Sequence, residues 1–181
     1  MYSVRLGYNE AVKRIKRLRK NGHHAESLVT SVFTIEKTLR RVLRALVVSA
    51  GFPSVQATIL MKKFDGLNKM KEVWECFDPD NRKLSDFVAP STLQAIAETQ
   101  GKRNDLVHGS RVYGVAECER EAGRALQALD DLRQTFRQEY GYDGWSKLKV
   151  RKTSTLHADQ RVTKQGAPPS ASRRTRRKRA R

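Results

Sequence analysis

Cysteine is nearly absent from this chain. Cys76 and Cys118 are the only two, with neither a CxxC nor a paired spacing, so no disulfide framework is available. Two ordinary, half-buried thiols in a reducing compartment are expected instead. Long apolar runs are missing too. None approaches the roughly twenty residues that span a bilayer, so no membrane partner is expected. The opening Met1-Tyr-Ser-Val-Arg leads into a basic helix rather than an apolar segment, which reads as the absence of a secretory signal and as cytoplasmic placement. Strand-type alternation of apolar and polar residues occurs nowhere, which excludes a β architecture and leaves an all-α one.

Acidic residues are scarce at both ends. Residues 1–20 hold seven Lys or Arg against Glu10 alone, and residues 145–181 hold thirteen against Asp159 alone. The whole chain carries 37 basic and 19 acidic residues, for a net charge of +18, so the stretch between the ends is neutral. A balanced domain with two basic extensions points to polyanions, nucleic acid foremost.

The pattern divides the chain into a basic N-terminal helix (1–22), a helical domain (23–144) and a Lys/Arg-rich tail (145–181). Asn9–Lys20 puts Ala11, Ile15 and Leu18 on one side of a helix that stops at Asn21-Gly22. From His23 to Ala50 a seam of Leu28, Val32, Ile35, Leu39, Val42 and Leu46 repeats at spacings of four and three. Beside it run Val29, Phe33, Glu36, Arg40, Leu43 and Val47, where two charges interrupt an apolar stripe. Glu36 and Arg40 stand at i and i+4 and can pair with each other; alternatively Glu36 faces another helix and orients a cation there. His23 and His24 have no ligand-spaced partner and read as solvent-exposed.

Gly51-Phe-Pro-Ser interrupts the helix, with Ser54 as the candidate cap of the next. There Val55, Ile59 and Leu60, followed by Phe64, make a short amphipathic segment ending near Asp65-Gly66. Leu67, Met70, Trp74 and Phe77 mark a further helical face, and Met61, Met70 and Trp74 read as core filling. Asp78-Pro-Asp-Asn is a turn, and Leu84, Phe87 and Val88 suggest a helical turn before Pro90. A helix capped by Ser91 then presents Leu93, Ile96 and Ala97 inward. The last one, Val115–Tyr140, turns Cys118, Ala122, Ala125, Leu126, Leu129, Leu132 and Phe136 to the core. Beyond Trp145 periodicity fades, Gly-Ala-Pro-Pro-Ser-Ala-Ser follows, and the composition is that of a disordered tail. The expectation is a bundle of four to five helices with a basic helix before it and a basic tail after it.

The stretch that carries chemistry is Gly101-Lys-Arg-Asn-Asp-Leu-Val-His-Gly109. Asn104 and His108 are i and i+4 and share a helix face. Arg103 and His108 are five apart and diverge by about 140° on a regular helix. A bend at the helix end, or a site shared across a dimer, is needed to bring them to one group. An RNA substrate supplies its own nucleophile, the 2′-hydroxyl, so the protein need only move protons and stabilise charge on phosphorus. Histidine titrates near neutrality and suits the first task; the bidentate fork of arginine suits the second. Asn104 can hold a phosphate oxygen or the His108 ring. No metal or other cofactor is called for. The plainer alternative is that these residues cap carbonyls and pair with Asp105.

This motif, Arg103-Asn104 followed after four residues by His108-Gly109, resembles the signature of HEPN domains, in which an Arg, commonly followed by Asn, Asp or His, precedes a His by four to six residues. The resemblance covers the helical domain and neither extension. It implies a HEPN-like helical bundle and a metal-independent endoribonuclease, a hydrolase often acting as a toxin or antiviral effector, with catalysis at Arg103, His108 and Asn104. It also implies a homodimer whose two Arg/His sets meet in one cleft, and, for a toxin, an antitoxin or other regulatory protein. Some members carry a Tyr two residues past the His; Ser110 stands there in this chain. Other HEPN domains have lost catalysis and serve as RNA-binding or protein-interaction modules. Lys102, Arg111, Arg173, Arg174, Arg176, Arg177, Lys178 and Arg179 are the candidate RNA-backbone contacts, and Glu36 is a candidate orienting residue.

Overall fold

The computed structural model describes residues 7–64 and 66–146. Among these residues the chain is all-helical, with no strand. Helices α1 (Tyr8–Lys20), α2 (His24–Ser49), α3 (Ser54–Lys63) and α4 (Gly66–Glu72) precede a single 3-10 turn, Leu84–Asp86, and are followed by α5 (Pro90–His108) and α6 (Val115–Tyr140). None of the described helices is long and apolar enough to cross a membrane.

Helix α2 is the axis of the bundle and packs against each of the other five. Its sequence explains this. The seam Leu28, Val32, Ile35, Leu39, Val42 and Leu46 is buried together with Leu43 and Val47 of the neighbouring stripe, so α2 is apolar over a wide arc. Ser31, Thr34 and Thr38, also buried, return their hydroxyl protons to the carbonyls four residues back (2.8, 2.7 and 2.8 Å), so small polar residues sit inside without orphaned donors. Helix α6 answers with Ala122, Ala125 and Ala128, whose short side chains permit close approach, and with Leu129, Leu132 and Phe136. Of the seven inward positions read from sequence, six are buried and Leu126 is half-buried.

At one end of the core Trp74 stacks on Phe136 at 5.3 Å and donates its indole N–H to the Tyr140 hydroxyl at 3.1 Å. That hydroxyl donates in turn to buried Asp78 (2.6 Å), whose other oxygen accepts the backbone N–H groups of Asp80 and Arg82. The Asp78 turn is thereby tied to α6, and Asn81 takes the left-handed conformation (φ 55°) that Asn tolerates.

Several local expectations differ from the structure. Helix α3 buries Ala57 and Met61, not Val55 and Ile59, which are 72% and 54% exposed. Two residues of offset place the two pairs about 200° apart on a helix. Ser54 is the first residue of α3 rather than its cap, and its hydroxyl accepts from Arg44. Proline at the first position opens α5, where its missing N–H has no carbonyl to serve, so Ser91 is no cap. Thr92, Ile96 and Thr99 are the buried residues of α5, and Ala97 is exposed. Cys118 is buried and Cys76 exposed; neither thiol is half-buried.

The packed domain also reaches past the boundary placed at residue 145. Asp143 accepts the backbone N–H groups of Trp145 and Ser146 at 2.9 and 3.0 Å. Trp145 donates its indole N–H to Thr38 (2.9 Å), lies 5.7 Å edge-on from Tyr8, and carries the Arg41 guanidinium 4.3 Å above its ring. The first residues of α1 and the residues after α6 therefore clasp one another across α2.

Candidate active site

Arg103 belongs to the inward stripe of α5. Thr92, Ile96 and Thr99 are buried at spacings of four and three, and the same stripe continues to Arg103 and Leu106. The arginine consequently reaches toward α2 rather than into solvent. Its Nη2 lies 2.9 Å from Glu36 Oε2, with the two side chains 14% and 20% exposed. Its Nη1 donates to Asn104 Oδ1 at 2.7 Å, and its guanidinium lies 4.4 Å above the Phe33 ring. The Nε atom is buried without a hydrogen-bond partner. Phe33 and Glu36, one turn apart on the second stripe of α2, thus form a socket for the guanidinium. Glu36 thus meets a cation from another helix, as the second of its two readings expects. Arg40 sends Nη1 to the Met61 carbonyl at 2.8 Å.

His108 is the last residue of α5 and is exposed. Gly109 closes the helix in the left-handed conformation, φ 67°, which glycine adopts without the Cβ clash other residues meet. The backbone N–H groups of Gly109 and Ser110 both return to the Asp105 carbonyl. Asp105 does not pair with Arg103. Its carboxylate accepts from the Tyr113 and Ser110 hydroxyls, which hold it below the usual carboxylate range and fasten the loop after the helix.

Helix α5 runs unbroken through His108, so the bend that would let Arg103 and His108 converge within one chain does not occur. Their side chains leave the axis about 140° apart. The structure brings together Arg103, Asn104 and Glu36; it does not bring His108 to them. Lys102 is also engaged. Its ammonium lies 2.7 Å from Glu117 and 3.1 Å from buried Glu121, which makes it a strut to α6 rather than a free phosphate contact. Arg111 is exposed and stacks 5.0 Å from the Tyr113 ring. Arg173, Arg174, Arg176, Arg177, Lys178 and Arg179 lie outside the described residues.

Phe33 and Tyr113 are the parts of this neighbourhood to which sequence assigned no role. Phe33 had a signal, since it precedes Glu36 by three residues on the same stripe. Tyr113 had none, because its partner Asp105 is fixed only by the path of the loop. Among the described residues no group of three or more His, Cys, Asp or Glu is placed to hold a metal ion. Comparison with family models, with curated proteins and with solved structures gives no match to this chain.

Proposed function

We propose that the chain is a HEPN-type endoribonuclease that cleaves single-stranded RNA without a metal. The observation that carries the reading is the socketed guanidinium of Arg103: fixed by Glu36, Asn104 and Phe33 on one side of α5, five residues before an exposed histidine. A permanently charged fork held in one orientation is suited to the extra charge that builds on phosphorus when the 2′-hydroxyl attacks. The 2′-oxygen bonds to phosphorus, the bond to the 5′-oxygen breaks, and the products are a 2′,3′-cyclic phosphate and a free 5′-hydroxyl. His108 takes the 2′-hydroxyl proton or returns one to the leaving oxygen. Because Arg103 and His108 diverge on one helix, we assign the working site to a two-fold dimer. There one His108 serves as base and its symmetry mate as acid, each beside the partner's Arg103. A role as a toxin or antiviral effector, held in check by a regulatory protein, belongs to the same reading.

The test is cleavage of a single-stranded RNA in EDTA, with the ends identified. Wild-type protein is expected to leave 2′,3′-cyclic phosphate, and His108→Ala to lower the rate at least about a hundredfold, the scale of general acid–base catalysis, with helical content unchanged. If His108→Ala cuts as well as wild type, the assignment is wrong. One observation favours a second reading, a non-catalytic RNA-binding module: the charge of Arg103 is already answered by Glu36. That reading predicts no cleavage by wild type and RNA binding that survives Arg103→Ala.

A further inference from the structure

Several cations on this domain are answered by carboxylates. Lys69 meets Glu72, Arg19 meets Glu119, Lys102 meets Glu117 and Glu121, Arg124 meets Glu98 and Glu121, and Arg82 meets Asp78, Asp80 and Glu139. Around the Trp145 clasp four cations gather with fewer carboxylates beside them. Lys37 and Arg41 lie one turn apart on α2, with Lys37 Nζ 5.5 Å and the Arg41 guanidinium 4.3 Å from the centre of the indole ring. On α6, Arg133 and Arg137, again one turn apart, line with Trp145 and Asp143 a cavity of about 380 Å³. Among the described residues only one of these four cations has a carboxylate partner, Arg133 with Asp143. Arg41 donates merely to the Gly144 carbonyl, at 3.2 Å. Burial and the nearby Arg41 charge together press Lys37 below its ordinary pKa, as expected where like charges crowd without an anion between them.

Two cation pairs on adjacent helices, joined by one aromatic side chain and offset by the single carboxylate of Asp143, make a surface with an excess of positive charge. Its position is equally informative. Lys37 and Arg41 follow Glu36 by one and five residues, about 100° and 140° round α2, so the patch faces away from the socket that holds Arg103.

We infer that the Tyr8–Trp145 clasp builds an RNA-backbone-binding surface, distinct from the Arg103/His108 site, formed by Lys37, Arg41, Arg133 and Arg137. The inference rests on the ribonuclease reading for its choice of RNA over other polyanions. A strand engaged at both places passes round α2, so the patch captures substrate while the cleavage site acts on a segment several nucleotides away. Its contacts are to phosphate and carry no sequence preference.

The experiment is binding of a fluorescent uridine 20-mer to full-length protein across a salt series. It is done in a His108→Ala background so that cleavage does not intrude. Lys37→Gln/Arg137→Gln is expected to weaken binding several-fold. It should also reduce the slope of log K against log salt by about 1.4, the share of two phosphate contacts on a single strand. Lys62→Gln/Lys63→Gln on α3 removes the same charge elsewhere and should leave the slope near wild type. Neither substituted side chain of the test pair makes a hydrogen bond among the described residues, and far-UV circular dichroism checks that the fold is kept. Equal effects of the two double variants, no effect of either, or equal binding of polyglutamate would each overturn the inference. Absence of cleavage by wild type, with the binding results as expected, removes the catalytic reading and leaves the capture surface standing.

Discussion

Asp143 shows how one carboxylate can set a boundary. Its burial would raise its pKa, but the N–H groups of Trp145 and Ser146 and the guanidinium of Arg133 outweigh that and bring it down to about 2. A carboxylate with a depressed folded pKa stabilises the fold fully above its ordinary value of 3.8 and loses that contribution as pH falls toward 2. The difference is worth about 2 kcal/mol. Acid titration is therefore expected to release the Trp145 clasp between roughly pH 4 and 2, read as a change in Trp145 fluorescence that Asp143→Asn abolishes. The residue was invisible in the sequence. Asp143 stands among stop signals, Gly-Tyr-Asp-Gly, and nothing local says that it gathers the backbone beyond it. Glu36 was legible to a finer degree, because a charge inside an apolar stripe demands a partner; which partner depended on where α5 came to rest.

At the scale of the element, α5 was the best-located helix and the least well-oriented one. Its end at Gly109 follows from glycine alone; the bend that the sequence left open does not occur, and Gly101 inside the helix does not interrupt it. Its inward face differs from the expected one because threonine, not leucine, fills two of the three buried positions. A hydroxyl returning to its own helix, as Thr99 does to Ala95 at 2.7 Å, is as content inside as an aliphatic group. The Gly109 cap is testable. A Cβ there meets nothing within 4 Å, so the cost of Gly109→Ala is conformational. It should be about 1–2 kcal/mol for a non-glycine residue held at positive φ, measured by urea denaturation. Helix α3 erred in the opposite sense. Its most apolar residues, Val55 and Ile59, are the outward ones, because the small Ala57 is what lets the helix lie against α2.

At the scale of the molecule, the all-α architecture was fully legible from periodicity, and so was the dominance of the 23–50 segment. The clasp was not. It joins residues separated by nearly the whole domain, Tyr8 and Trp145 at 5.7 Å, and such pairings leave no trace in any local pattern. Its consequence is topological. With entry and exit side by side, the described domain is almost a closed ring, and where the ring is opened becomes a matter of choice. A permutant that joins Gly7 to Ser146 through a short Gly/Ser linker, and starts anew at Val112, 91% exposed in the loop before α6, should keep its helical spectrum. Its melting temperature should stay within about 5 °C of the parent. Collapse of that permutant would mean that the order of synthesis, and not the clasp, defines the unit. Success would show that this bundle has no true ends, only a seam.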